Sequence, residues 1–319
     1  MSERFPPDHG PFEVALARTA DRIPTPTTTR SYSFEMKLDG FRGVLLVELW
    51  SRRATNLTAA FPEIVTAASR LSPGVYDGEI VVWRDGRLDW DELARRGGSP
   101  AQAAARASAA PASFVAFDLL ADGLVDVRPL PWVRRRALLE ARSWQPPLQL
   151  CPHTLDHDEA TAWFESPDLR LTGVEGLVVK DTTSPYRPGQ RDWLKVKTRE
   201  TVEVIVGAVT GTLERPTGVV AGRYTDAGDL VVVGRTGQLR PDQSANLARV
   251  IVAADEHPWL TRIGGGHFGA SPVDVVRVRP AVVVEVSVDA ARQAQHRWRH
   301  ALRLLRLRPD LTTADVDGA

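Results

Sequence analysis

The 319-residue chain balances forty basic against forty acidic residues, so no global field advertises nucleic acid, and its length suits two domains. An apolar fraction of 43% with 25% charged residues is that of an ordinary globular protein. One cysteine, Cys151, excludes a disulfide framework and a multi-cysteine zinc site; no 18-residue apolar run or export leader argues for a membrane, which leaves a reducing cytoplasm.

The first thirty residues are rich in Pro and Thr, and a short helix is expected over 12–21. Residues 31–37 alternate polar and apolar, which predicts a strand. Asp39-Gly40 reads as a tight hairpin turn into a second strand over 41–50. Further strands are expected at 74–83, 114–120, 176–180 and 193–197, and helices at 61–71, 132–141 and 158–164, the last capped by Asp156 or Asp158. The Ala-rich stretch 97–113 reads as helix and loop without chemistry. Texture changes after Arg199. Val-rich strands are expected at 202–209, 218–224, 230–235 and 282–288, with a hairpin turn at Asp226-Ala227-Gly228-Asp229 and a helix near 242–255. That spacing suggests a small β-barrel of the oligonucleotide-binding kind, so the expected domains are 1–199 and 200–319.

Lys37 stands in an apolar run with Glu35 and Asp39 two residues to either side and Arg42 five residues on. A free lysine is protonated at neutral pH; burial and nearby cations lower its pKa, whereas carboxylates raise it. A nucleophilic Lys37 therefore needs those carboxylates to bind something else, such as a metal or a sugar hydroxyl. The other reading is a surface hairpin with a Glu/Lys/Asp salt-bridge ladder.

Other clusters sit at strand positions. Tyr76-Asp77-Gly78-Glu79 precedes an apolar run, and Glu175 precedes the strand that ends at Lys180. Phe114 and Phe117 lie three apart, on opposite faces of their strand. Lys195 and Lys197 share one face, where two cations repel unless an anion such as phosphate lies between them. Eight arginines (277, 279, 292, 297, 299, 303, 306 and 308) stand against Glu285 and Asp289, as a phosphate-binding surface or a solvated face. His153 and His157 lack a nearby third ligand, Gly264-Gly265-Gly266 reads as a loop, Trp163, Trp193 and Trp259 as packing residues, and Cys151 as a buried thiol.

In their order and spacing these elements resemble the covalent nucleotidyltransferases, and among them the small stand-alone ATP-dependent DNA ligases of bacteria. The resemblance rests on Glu35-x-Lys37-x-Asp39-Gly40-x-Arg42, then Ser51-Arg52 with Phe61-Pro62-Glu63, Asp77-Gly78-Glu79, Phe117-Asp118, Glu175-Gly176 through Lys180, and Lys195-Val196-Lys197. Arg297-Trp298-Arg299-His300 and Leu307-Arg308-Pro309-Asp310 look like the last motif, although Ala301 and Leu311 depart from it.

The resemblance implies an α+β fold: an ATP-grasp-like nucleotidyltransferase domain of antiparallel sheets with flanking helices, then an OB-fold barrel, with no room for a preceding DNA-binding domain. It implies that Lys37 carries AMP, that Arg42 and Glu79 hold the ribose, that Glu35 reads the base edge, and that Phe117 stacks on adenine. Lys195 and Lys197 would hold the α-phosphate, and Glu79 and Glu175 would ligate Mg2+ or Mn2+. Arg52 would contact the nick 5′-phosphate, and Arg299, Arg308 and Asp310 would orient pyrophosphate. ATP is the implied cofactor, and nicked duplex DNA the partner, with other DNA-repair proteins beside it. A cytoplasmic, nucleoid-associated monomer is expected. An RNA ligase, a GTP-using capping enzyme and an inactive nucleic-acid-binding module are the alternatives.

Overall fold

In the computed structural model, which describes residues 10–96, 102–264, 272–289, 297–298, 300–316 and 318, the chain divides into two units, the first ending at Thr198 and the second beginning at Arg199. The first opens with β1 (Ala17–Thr19), β2 (Tyr32–Met36), β3 (Phe41–Leu45) and β4 (Leu49–Ser51). Helix α1 (Pro62–Ala68) starts on a proline, whose missing N–H costs nothing in the first turn. Long β5 (Gly74–Arg84) and short β6 (Arg87–Leu88) lead into α2 (Trp90–Arg96) and α3 (Ala103–Ala109). Then come β7 (Ala112–Asp122), β8 (Val125–Asp126), α4 (Trp132–Glu140), β9 (Leu148–Leu150) and β10 (His153–Thr154). The unit closes with α5 (His157–Glu165), capped by Asp156 as expected, α6 (Pro167–Leu171), β11 (Gly176–Asp181) and β12 (Trp193–Lys197).

These strands build two sheets. One runs β4-β3-β5-β7-β8, with β6 on β5 and β9 on β7; the other runs β1-β12-β11-β2-β10. Strand alternation in β7 sends Phe114 into the core beneath α1 and α2, with Phe61, Ile64 and Leu93. It sends Phe117 the other way, to pack with Val44, Val75, Tyr186 and Trp193, drawn from both sheets.

Three local expectations are corrected. Asp39-Gly40 is not a hairpin turn: β2 and β3 belong to different sheets, so residues 37–40 carry the chain from one sheet to the other. The expected strand over 41–50 is two strands, β3 paired antiparallel with β4. Residues 12–21 are not helical. Phe12 and Val14 are buried outside any regular element, and β1 pairs in parallel with β12, a tertiary pairing that overrides the local pattern.

The second unit contains β13 (Arg199–Gly211), β14 (Pro216–Tyr224), β15 (Leu230–Arg235), α7 (Pro241–Ala248), β16 (Arg262–Ile263), β17 (Val273–Asp274), β18 (Val276–Arg277), β19 (Val283–Asp289) and β20 (Arg303–Leu307). The order β15-β14-β13-β19-β20 curls back on itself, because Leu302 donates to the Arg235 carbonyl at 2.9 Å and accepts from Gly237 at 3.0 Å. Val204, Val206, Val219, Val233, Val284 and Val286 fill the interior. The β14–β15 turn forms where expected, with Gly228 at φ 85°. Helix α7 stops at Ala248, short of the expected 255: β-branched Val250, Ile251 and Val252 follow, and Ala253 bridges to Val278. The fold is α+β, antiparallel sheets with flanking helices followed by a curled OB-type barrel. No helix among the described residues is long and apolar enough to cross a membrane.

Candidate active site

Lys37 lies one residue beyond β2. Its N–H donates to the Gly176 carbonyl and its own carbonyl accepts from Glu175 N–H, both at 2.8 Å, so its backbone is pinned to the start of β11. Gly176 holds φ 137°, and a Cβ there would stand 2.1 Å from the Val196 carbonyl, so this junction admits only glycine. The Lys37 ammonium donates to Glu175, a carboxylate only 2% exposed. Burial alone would lower the lysine pKa. Glu175, with Glu79 and Asp39 behind it, outweighs burial and holds Lys37 above its ordinary value. In this arrangement the amine is held in its protonated form.

Lys195 and Lys197 share a face of β12, and Lys197 Nζ lies 3.3 Å from the same Glu175 oxygen. Burial, with Lys197 and Lys37 adding repulsion, pushes the Lys195 pKa down. Three ammonium groups thus gather beside one buried carboxylate, a grouping of cations suited to phosphate.

Arg42 stands opposite Glu79 in the β3–β5 ladder. Its guanidinium grips Asp77 through Nε at 3.0 Å and Nη2 at 2.6 Å, and also donates to the Ala15 carbonyl. Tyr186 donates to Asp77 at 2.6 Å. Most of the Arg42 fork is therefore committed to protein. Glu79 has no such grip: burial, partly offset by Lys37 and Arg42, raises its pKa to about 7.

Phe117 meets Trp193 edge-on, with centroids 5.9 Å apart. Glu35 is 2% exposed; Trp132 Nε1 donates to one of its oxygens at 3.2 Å and Lys180 faces the other at 2.9 Å. Lys180 also donates to the Phe117 carbonyl at 2.9 Å, and Asp118 accepts from Arg135 Nε at 2.7 Å. Trp132 and Arg135, three apart on α4, present one helix face to this network.

The first unit brings Glu35, Lys37, Arg42, Glu79, Phe117, Glu175, Lys195 and Lys197 onto neighbouring strands β2, β3, β5, β7, β11 and β12 or their ends. Arg52 is exposed in the turn after β4, where Ser51 Oγ accepts from Arg53 and Thr55 N–H. In the second unit Arg308 donates to Asp310 at 2.8 Å and pairs with Glu203; Arg299 lies outside the described residues, as do Arg292, Gly265 and Gly266. His153 pairs with Glu140 at 3.0 Å, and His157 meets the Phe34 ring edge-on.

Sequence reasoning passed over Trp132, Arg135, Tyr186 and the part played by Lys180. One signal was available for the last: of forty basic residues only four are lysine, and they are 37, 180, 195 and 197.

Residues 15–197 match the family model described as ATP dependent DNA ligase domain. The chain is 32% identical to DNA ligase C2 of Mycolicibacterium smegmatis, over 94% of this chain and 91% of that one. It is 31% identical to DNA ligase C of Mycobacterium tuberculosis, over 94% and 90%. A solved Lig E DNA ligase, described as binding DNA with a minimal scaffold, shares the fold with a TM-score of 0.55 at 18% identity, covering 92% of this chain and 99% of that one.

Proposed function

The chain belongs to the ATP-dependent DNA ligases and joins DNA using ATP; we propose that it seals 3′-OH/5′-phosphate nicks in duplex DNA, in repair, through AMP carried on Lys37. The observation that carries the residue-level reading is the gathering of Lys37, Lys195 and Lys197 beside Glu175.

In the first step the neutral Lys37 amine attacks the ATP α-phosphorus in line, the N–P bond forms, and the bond to pyrophosphate breaks. Lys195 and Lys197 hold the α-phosphate oxygens, which develop charge as attack proceeds. Phe117 stacks on adenine, Glu35 meets the base edge, and Glu79 with the uncommitted part of Arg42 takes the ribose hydroxyls. Glu79 and Glu175 offer oxygen donors only, the donor set that Mg2+ or Mn2+ prefers, so the residues fit such an ion. When bound, such an ion supplies positive charge that lowers the Lys37 pKa and offsets the phosphates.

In the second step the nick 5′-phosphate attacks the lysyl-bound AMP and frees Lys37. Arg52, exposed on its turn, contacts that phosphate. In the third the 3′-OH attacks the adenylated 5′ end, and AMP leaves. Arg299, Arg308 and Asp310 serve the first step. The reading is completed by a monomer acting at the nucleoid, in the cytoplasm, beside other repair proteins.

The test is incubation with α-labelled ATP and magnesium. Wild type takes up label and Lys37→Ala takes up none; label retained on the variant shows that another residue is the nucleophile. GTP in place of ATP separates ligation from capping, and nicks with RNA on either side separate DNA from RNA ligation.

A further inference from the structure

With thirty-six arginines in the chain, a generic cation here is an arginine, and the four lysines mark places that want a compact ammonium. Three flank Glu175. The fourth, Lys180, is fully buried at the end of β11. Its Nζ lies 2.9 Å from Glu35, 2.9 Å from the Phe117 carbonyl and 3.4 Å from Asp118. It also sits 4.8 Å from the Phe117 ring centroid and 4.2 Å from that of Trp193. One ammonium therefore touches both the aromatic ring and the carboxylate. Trp132 Nε1 holds the other Glu35 oxygen, and a carboxylate so gripped keeps about two of its roughly four acceptor sites free.

We propose that Lys180 and Trp132 are positioning residues for base selection: together they fix the Glu35 carboxylate relative to the Phe117 ring, so that it accepts from a purine 6-amino group and repels a 6-oxo group. The inference rests on the reading of Glu35 and Phe117 as base contacts. A site built to accept one hydrogen bond discriminates only while its acceptor stays in place, and two buried donors keep it there. A guanidinium at 180 would bring a planar fork into a space shaped for one nitrogen.

The experiment measures self-adenylation of the whole protein with ATP and with purine riboside triphosphate, which lacks the 6-amino group, in wild type, Trp132→Phe, Lys180→Arg and Glu35→Gln. Wild type should favour ATP through KM. Trp132→Phe and Lys180→Arg should shrink that preference about three- to tenfold, with kcat moving less than KM, and Glu35→Gln should shrink it most. General damage to the pocket would weaken both nucleotides alike and leave the ratio intact. Trp132→Phe keeps the buried aromatic ring, so it carries the test if Lys180→Arg fails to fold. A wild-type ratio in Trp132→Phe beside a lost ratio in Glu35→Gln overturns the positioning role and spares the base contact. A ratio unchanged in Glu35→Gln overturns both.

Discussion

Asp118 is 1% exposed, with Arg135 at 2.7 Å and Lys180 at 3.4 Å. Burial alone would raise its pKa, but the two cations outweigh burial and hold it below its ordinary value. A carboxyl depressed in the folded state contributes stability above its unfolded pKa, here 3.8, and that stability is lost as pH falls through the folded value. Asp118→Asn leaves the buried Arg135 without its carboxylate and Lys180 with Glu35 alone, so unfolding in urea at pH 7 should show a loss of about 3–5 kcal/mol. The gap between variant and wild type should narrow below about pH 4, and an unchanged midpoint at pH 7 would show that the network is not stabilising. The lysines offer a second check. Lys195 has its pKa pushed down and Lys37 has its pKa held up, although both are partly exposed. In nucleotide-free protein at pH 8, limited acylation read by mass spectrometry should therefore mark Lys195 before Lys37. The reverse order would mean that Lys37 is activated before any ligand arrives.

The passage of residues 37–40 between the two sheets depends on Gly40, where a Cβ would lie 2.2 Å from the Ile80 carbonyl and 2.8 Å from Glu79 Cγ. Gly40→Ala must push this segment off β5 and misalign Lys37 and Glu79. Adduct formation should fall more than about tenfold and stability by about 1–3 kcal/mol. Gly237→Ala, where the added methyl meets open space, is the control that should leave both unchanged. Labelling at the wild-type rate in Gly40→Ala would remove the close approach as an explanation for this glycine. Strand periodicity was legible ahead of the structure: residues 193–197 and 230–235 form strands with those limits, and Phe114 and Phe117 part to opposite sides of β7. What each strand pairs with was not. Asp39-Gly40 has the chemistry of a hairpin turn, yet β2 pairs with β10 and β11 while β3 pairs with β4 and β5, a choice made by distant segments. The same holds at the site. Lys37, Glu79, Lys195 and Lys197 are singled out by their local motifs, whereas the contacts of Lys180 depend on Glu35 from β2 and Asp118 from β7, which no local window contains.

In the barrel, one arginine is held by several carboxylates at once. Arg308 donates to both oxygens of Asp310 and pairs with Glu203, and it lies 3.6 Å from Glu285, which Arg306 also approaches at 2.7 Å. Glu203 and Glu285 face each other across β13 and β19, so Arg308 ties the tail beyond β20 to the middle of the barrel sheet. A guanidinium so held is not a free cation awaiting pyrophosphate; it must exchange carboxylate partners to serve one. Two effects of Arg308→Ala then separate by assay. If Arg308 serves the first step, labelling from ATP should fall more than about tenfold while pre-adenylated nicks are sealed at close to the wild-type rate. Glu203→Gln, which removes one competing carboxylate and leaves Arg308 in place, should preserve labelling or raise it. If the arginine only fastens the tail, Arg308→Ala should lower the melting temperature and both steps together, and Glu203→Gln should do the same to a smaller degree. The opposite signs expected for Glu203→Gln make it the sharper variant, because a structural clasp and a competing ion pair answer differently to the loss of the same carboxylate.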